Sequence, residues 1–492
     1  MKKFIFMVLP VLWLIHSGAA AADASLKRPN ILFLFADDWA WPHASCLGCP
    51  GIKTPAFDRI VKEGVLFRNA HTAAPSCSPS RASILTGQWP WRLEQGADLW
   101  SFIPPKHSVY PDLLENAGYF VGMMGKGYGP GSNEGRPHNA AGQAFKDFSA
   151  FLKARTDQKP FCFWMGGHKP HRPYVPDSGV RKGMDPSKVI VPPYLPDNEV
   201  VRRDICDYFA AAQDFDEEVA GMIDALDKAG ELDNTLIVIS GDNGWPFPRS
   251  KATCYDTGTH QPLAIRWGGH IKPGRVVDDF TSLADLAPTF LEVAGVKPPD
   301  SMTARSLLNV LLSEKSGQVD PARDHVLTSM ERHASSGRSD GDARSVGFPM
   351  RSILTKEFHF IRNFRSERWP AGDPPSGGIP QADALAKNTY AGFSDVDAGP
   401  TKAWILTHKE EPEVKPFYDR AFGKRPPREL YDLRNDPYEL KNLADEAAYA
   451  DQLKELDARL MAELKATGDP RASGGGDEFD RYPSVRSKGD QK

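Results

Sequence analysis

The chain is short of thiols, of long apolar stretches and of net charge, and each shortage removes a class of protein. Six cysteines in 492 residues are too few for a disulfide framework to hold a chain of this size together. Cys46 and Cys49 form a single C-x-x-C pair. No second pair or suitably spaced histidine accompanies it, so two small residues in a loop is the favoured reading over a zinc or redox site. The apolar run at residues 4–15 is too short for a permanent membrane-spanning helix. With 60 basic against 64 acidic residues the formal charge is −4. Nothing draws such a chain to nucleic acid, and no nucleic-acid partner is expected. Binding an anion would require cations gathered locally.

What the sequence does have begins with a leader. Lys2 and Lys3 precede the apolar run and Ala20-Ala21-Ala22 follow it, the basic, apolar, small order of a secretory signal. Residues 1–22 are therefore expected to be removed, leaving a slightly more acidic protein in a periplasmic or extracellular space. No cysteine stands just after the run, so no membrane anchor is expected. The remainder, 25% charged and 40% hydrophobic overall, has the make-up of a soluble globular protein with length for a large core.

Four apolar runs end in chemistry. Residues 30–36, N-I-L-F-L-F-A, read as a strand buried on both faces and stop at Asp37-Asp38. Residues 120–124 run into Gly125-Lys126, residues 161–165 into Gly166-Gly167-His168, and residues 236–240 into Gly241-Asp242-Asn243. In open α/β sheets ligands bind beyond the carboxyl ends of the strands, so the four ends point to one shared site. Residues 204–229 carry apolar positions at helical spacing, with Gly230 as terminator. Asp37, Asp38, Asp242 and Asn243 make a hard oxygen-donor set suited to Ca²⁺ or Mg²⁺ rather than Zn²⁺, and an extracellular compartment favours calcium.

Residues 77–87 read C-S-P-S-R-A-S-I-L-T-G. Pro79 suits the first turn of a helix, Ser80 can satisfy free backbone donors, and Arg81 falls on the face of Cys77. A helix amino end beside a guanidinium stabilises an anion. This segment resembles the signature C-x-P-S-R-x-x-x-L-T-G of the type I sulfatases, with every fixed letter present. The resemblance covers nearly the whole chain. Within that family it is most similar to the heparan N-sulfatases, through R-P-N-I-L-F-L-F-A-D-D, G-G-H-K-P-H-R, G-D-N-G-W-P-F-P and F-P-M-R-S-I-L.

The resemblance implies an alkaline-phosphatase-like α/β sandwich: a large, mostly parallel central sheet flanked by helices, and a smaller carboxy-terminal antiparallel sheet with a packed helix. It implies that Cys77 is oxidised to Cα-formylglycine by a formylglycine-generating or anaerobic sulfatase-maturating enzyme, and that the aldehyde hydrate is the nucleophile. Asp37, Asp38, Asp242, Asn243 and modified Cys77 would bind calcium. Arg81 would hold the formylglycine and a sulfate oxygen, Lys126 and Lys251 the sulfate, and His168 would protonate the leaving atom. The substrate would be a sulfated saccharide, an N-sulfoglucosamine or another sulfated polysaccharide. A weakly active sulfated-glycan binder is the alternative, because Lys126-Gly127-Tyr128 stands where the family has Lys-x-His. Tyr128 or a loop histidine such as His138 would then fill that place.

Further expectations rest on position. His171, Arg172, Glu331, Arg332, His333 and Arg351 are candidates for glycan contact, Trp39 and Trp41 for stacking on a sugar, and Tyr255-Asp256 for support of Lys251. The Ser/Gly/Asp-rich residues 335–345 suggest a linker, dividing a catalytic domain at 23–345 from a smaller domain at 346–468. In the latter, residues 351–354 and 358–362 suit a hairpin, and residues 449–465 a helix with Leu453, Leu456, Leu460 and Leu464 on one face. The Pro-rich residues 369–380 are expected to loop near the cleft. The tail from Asp469 is expected to carry no fixed structure.

Overall fold

The architecture was read from a computed structural model, which describes residues 28–334, 336–341 and 343–485. The expected leader and the last seven residues lie outside these. Seven strands form the large sheet: β1 (Asn30–Ala36), β2 (Val65–Phe67), β3 (Phe120–Gly125), β4 (Phe161–Gly166), β5 (Thr235–Gly241), β6 (Leu263–Trp267) and β7 (Arg275–Val277), in the order β3-β4-β1-β5-β6-β2-β7. The first four in that order are parallel, and β6 runs against both β5 and β2. Every residue of β1, β4 and β5 is buried, because apolar side chains leave both faces of these strands and helices cover both. Phe33 and Phe35 meet Trp164 on one face. Leu32 and Leu34 join the core on the other, under α3 (Glu199–Lys228), which with α1 (Pro55–Glu63), α2 (Cys77–Thr86) and α4 (Leu286–Val293) flanks the sheet.

Helix α3 begins five residues before the expected start, because the Asn198 side chain accepts from the Val201 backbone N–H at 3.1 Å and caps it. Gly230, at φ 67°, follows its end. The small sheet is an antiparallel meander of β8 (His325–Met330), β9 (Met350–Thr355), β10 (Phe358–Asn363) and β11 (Arg428–Asp432). Helix α5 (Ala450–Ala466) lays Leu453, Leu456, Leu460 and Leu464 onto Leu327, Ile353, Phe360 and Leu430. The α/β layout and the small sheet with its helix match the expected architecture.

The path of the chain differs from the expected division in two places. Strand β8 opens the small sheet before residue 345, and residues 371–422 return to the large core through Leu385, Phe393, Ile405, Leu406 and Phe422. The segment from Asp469 is built into the fold as far as the structure describes it. Asp469 is fully buried against Arg351, and Phe479 joins the core beneath α5. Its Gly/Ser-rich composition hid one buried acid and one aromatic anchor.

Candidate active site

Register decides which side chains meet. Ala36 pairs with Gly241 and Phe35 with Gly166, while Gly125 also pairs with Gly166. Asp37, Asp242, Lys126 and Gly167 are each the next residue after their strand, so all emerge at one level. Gly166 is required there: a Cβ on it would stand 1.7 Å from the Lys126 carbonyl oxygen. Asp38 adopts φ 70°, unusual for a non-glycine residue. Its backbone N–H donates to Asp242 Oδ1 at 2.9 Å, which holds the turn.

Helix α2 (Cys77–Thr86) is buried along its whole length and aims its amino end at this level. Ser76, the residue before it, is extended and leaves its hydroxyl 2.8 Å from His333 Nδ1. Ser80 does not cap the helix; its hydroxyl donates to the Asp242 carbonyl at 2.7 Å and ties α2 to the end of β5. Gly87 closes the helix at φ 61°, donating to the Ser83 carbonyl.

The resulting cluster interleaves acids and cations. The Cys77 thiol lies 3.4 Å from Asp37 Oδ1, and Lys126 Nζ donates to both Asp37 oxygens at 2.7 Å. Arg81 donates to Asp242 Oδ2 from Nε at 2.9 Å and to the Lys126 and Gly127 carbonyls at 2.7 and 3.0 Å. Lys251 Nζ donates to Asp38 Oδ2 at 2.8 Å, and Asn243 Nδ2 to Asp38 Oδ1 at 2.7 Å. Ligand atoms of Asp37, Asp38, Asp242 and Cys77 all lie within 4.8 Å of one another. Asn243 Oδ1 is buried with no hydrogen-bond partner. Buried amide oxygens are normally satisfied, so three carboxylates and an orphaned carbonyl form a donor set that fits a hard divalent cation.

The electrostatics agree. Burial would raise the Asp37 carboxyl, but Lys126, His171 and Arg81 hold it well below its ordinary value. Burial raises Asp242 to about 6, against Arg81 and with the help of Asp37. Burial opposes the charge on Lys251, yet Asp38 and Asp397 keep its pKa well above normal. Burial also pushes the Cys77 thiol far up despite Lys126 and Lys251, so the unmodified thiol is a poor nucleophile here. His168 and His333 are both lowered by burial, opposed by Asp37 and Asp395 respectively.

Asp37, Cys77, Lys126 and Lys251 of the cluster line a cavity of about 560 Å³, and Asp38, Arg81, Asp242 and Asn243 are buried behind them. Among the candidates, Asp37, Cys77, Lys126, His168, His171, Arg172, Lys251 and His333 line it. His171 Nε2 stands 3.8 Å from Asp38 Oδ2. The Arg172 guanidinium is held by two 2.8 Å bonds to Asp204.

Other candidates are engaged elsewhere. Arg351 is fully buried between Glu331 and Asp469 rather than in the cavity. Arg332 pairs with Asp98 at 3.0 Å. Trp39 is a core residue packed on Phe57, and Trp41 stacks on His260. Tyr128 is buried with its hydroxyl 2.7 Å from the Ser101 hydroxyl, and His138 bonds the Asn139 carbonyl. The Tyr255 hydroxyl donates to Glu429 and not toward Lys251. Asp256 faces His260 Nδ1 at 3.2 Å.

Sequence reasoning missed the wall supplied by Thr389, Tyr390, Ser394 and Asp397. Asp397 Oδ2 lies 3.1 Å from Lys251 Nζ. The only local signal is the polar string S-D-V-D-A-G, which looks like any surface loop. Cys46 and Cys49 remain free thiols away from the cavity.

Comparison with known proteins places this geometry. The family model described as Sulfatase matches residues 29–142 and 140–296, more than half of the chain. The chain is 28% identical to the human N-sulphoglucosamine sulphohydrolase, over 90% of this chain and 91% of that protein. It is 26% identical to an ulvan-active sulfatase of Formosa agariphila, over 92% of this chain and 77% of the other. A solved structure of a protein with its substrate D-glucosamine-2-N,6-O-disulfate superposes at a TM-score of 0.64 with 21% identity, covering 90% of this chain and 99% of that one. Among the described residues no helix is long and apolar enough to cross a membrane.

Proposed function

The chain belongs to the sulfatase family, and we propose that it is an exported, calcium-dependent hydrolase that removes sulfate from a saccharide through Cys77 converted to formylglycine. The observation that carries this reading is the meeting of Cys77 with three carboxylates, and with Asn243 bonded to Asp38 and its Oδ1 unpaired, beneath a cavity lined by Asp37 and Cys77. Asp37, Asp38, Asp242, Asn243 and residue 77 would hold calcium, which supplies positive charge across the sulfate oxygens while the formylglycine hydrate supplies the attacking oxygen.

The chain's own residues do the rest. Arg81, fixed by Asp242 and two carbonyls, keeps residue 77 and one sulfate oxygen in place. Lys126 and Lys251 bind the other sulfate oxygens from opposite sides of the acid cluster. His168, on the cavity wall, gives a proton to the leaving oxygen or nitrogen. Tyr128 is unsuited to act as a base, because burial raises its hydroxyl further and Ser101 occupies it. That leaves the wall histidines to take the proton from residue 77, and His171, with a ring nitrogen within 4.8 Å of the Cys77 sulfur, is the best placed.

The match to the human N-sulphoglucosamine sulphohydrolase over nearly the full length of both chains favours an N-sulfated glucosamine. The ulvan-active relative makes an O-sulfated polysaccharide the second reading. Mass spectrometry of the Cys77 peptide, after co-expression with a maturating enzyme, should find formylglycine. Ion chromatography should then find sulfate released from N-sulfated disaccharides in the presence of calcium, and none from the Cys77→Ala variant. Release from O-sulfated sugars alone would transfer the assignment to the second reading. Modified Cys77 with no release from any glycan would make the protein a binder.

A further inference from the structure

We infer that Asp397 recognises the sugar rather than the sulfate, accepting a hydrogen bond from a hydroxyl or N–H group beside the scissile bond. The inference rests on the saccharide reading above and deepens it by naming the residue that selects the leaving group. Asp397 lines the same cavity as Cys77, with its side chain 14% exposed. Its Oδ2 is buried, stands 3.1 Å from Lys251, and receives no aligned hydrogen bond among the described residues. A carboxylate so placed repels the oxygens of a sulfate. Lys251 stands between it and Asp38, at 3.1 and 2.8 Å. The sulfate therefore belongs beside Lys126, Arg81 and Lys251, and Asp397 on the side of the leaving group.

The acceptor is held in place in advance. Lys402 is buried and its ammonium donates to the carbonyls of Thr389, Phe393 and Val396 at 3.1, 3.2 and 2.7 Å, matching its three donors. Asp395, two residues before Asp397, accepts from the Ala334 N–H at 2.9 Å and pairs with Arg338. A wall fixed on both sides loses little entropy on binding. A carboxylate paired with Lys251 but with acceptor capacity to spare also rejects ligands that bring no donor, by the desolvation it leaves unpaid. Sugars carry hydroxyls next to the sulfated position, and a sulfamate carries an N–H on the bridging atom. An aryl sulfate has neither.

The test is calorimetric binding of glucosamine N-sulfate and of 4-nitrophenyl sulfate to the full-length chain carrying Cys77→Ser, with and without Asp397→Asn. Asp397→Asn should weaken the sugar at least tenfold and the aryl sulfate less than threefold, while Lys251→Met should weaken both. Equal weakening of both ligands by Asp397→Asn would reduce Asp397 to a support for Lys251 and overturn the inference. Should the variant not fold, the Asp397-containing protein decides: equal affinity for the two ligands, or no binding of the sugar, also overturns it. Because no turnover is read, sugar-selective binding without sulfate release from the unaltered chain would sink the hydrolase reading and leave this one standing.

Discussion

At the carboxyl end of the large sheet Asp37, Asp38 and Asp242 face Lys126, Arg81 and Lys251. Behind the small sheet Arg351 and Arg471 face Glu331 and Asp469. Both clusters are buried and built from the same side-chain types, yet the first opens on a cavity and the second closes on itself. In the second, Arg351 reaches Asp469 at 2.6 Å and Glu331 at 2.7 Å, and Arg471 closes the far side of Glu331 at 2.6 Å. Its two acids and two cations satisfy one another. In the first, an amide oxygen is left without a partner, one carboxyl is driven up to about 6, and a fourth carboxylate, Asp397, leans in from another loop. Buried charge alone does not mark a site; incomplete internal pairing next to an opening does.

The sharpest way to break this contrast is to open the closed cluster. Asp469→Ala leaves Arg351 with an uncompensated buried charge and should cost roughly 3–5 kcal/mol of stability, read by urea unfolding, while sulfate release per folded molecule stays unchanged. A loss below about 1 kcal/mol would mean the cluster is not structural. In the open cluster, Arg81→Lys keeps the charge but gives up the fork that spans Asp242 and two carbonyls. Turnover should fall by about 10²–10³ with the unfolding midpoint little moved. Activity falling only in step with folded protein would erase the distinction.

The smallest effect concerns a buried group with no charge to face. Burial lowers His43 to about 3, and its Nδ1 meets the Tyr208 hydroxyl at 3.1 Å. The unfolded chain binds a proton at His43 between about pH 6.5 and that value, while the folded chain does not. Stability should therefore be lost as pH falls through this window, by roughly 1 kcal/mol per pH unit from this residue. His43→Phe should flatten that part of the urea-midpoint profile; an unchanged slope would assign the acid sensitivity to other groups.

How much of this was legible in the sequence follows from how far apart the partners lie along the chain. The strands ending at Asp37, Lys126, His168 and Asp242 could be read because each apolar run abuts its own polar residues, and Cys77 and Arg81 because they share one turn of helix. The small sheet was legible as a hairpin and an amphipathic helix. Arg351 and Arg332 look no different in sequence from cavity residues, since Asp469, which with Glu331 neutralises the first, and Asp98, which neutralises the second, lie more than a hundred residues away. Asp397 was hidden for the converse reason. Its loop has no periodicity, and only the fold brings it to Lys251.

Lys402 carries a consequence for how such a protein can change. It grips the carbonyls of Thr389, Phe393 and Val396, groups that every residue type supplies. The course of this wall is thus uncoupled from the identity of most side chains upon it. Replacements among the side chains that line the cavity along this wall could alter which molecules are accepted while the Lys402 bonds keep its course. One buried lysine gives the protein a socket whose lettering can be rewritten while its frame stays fixed.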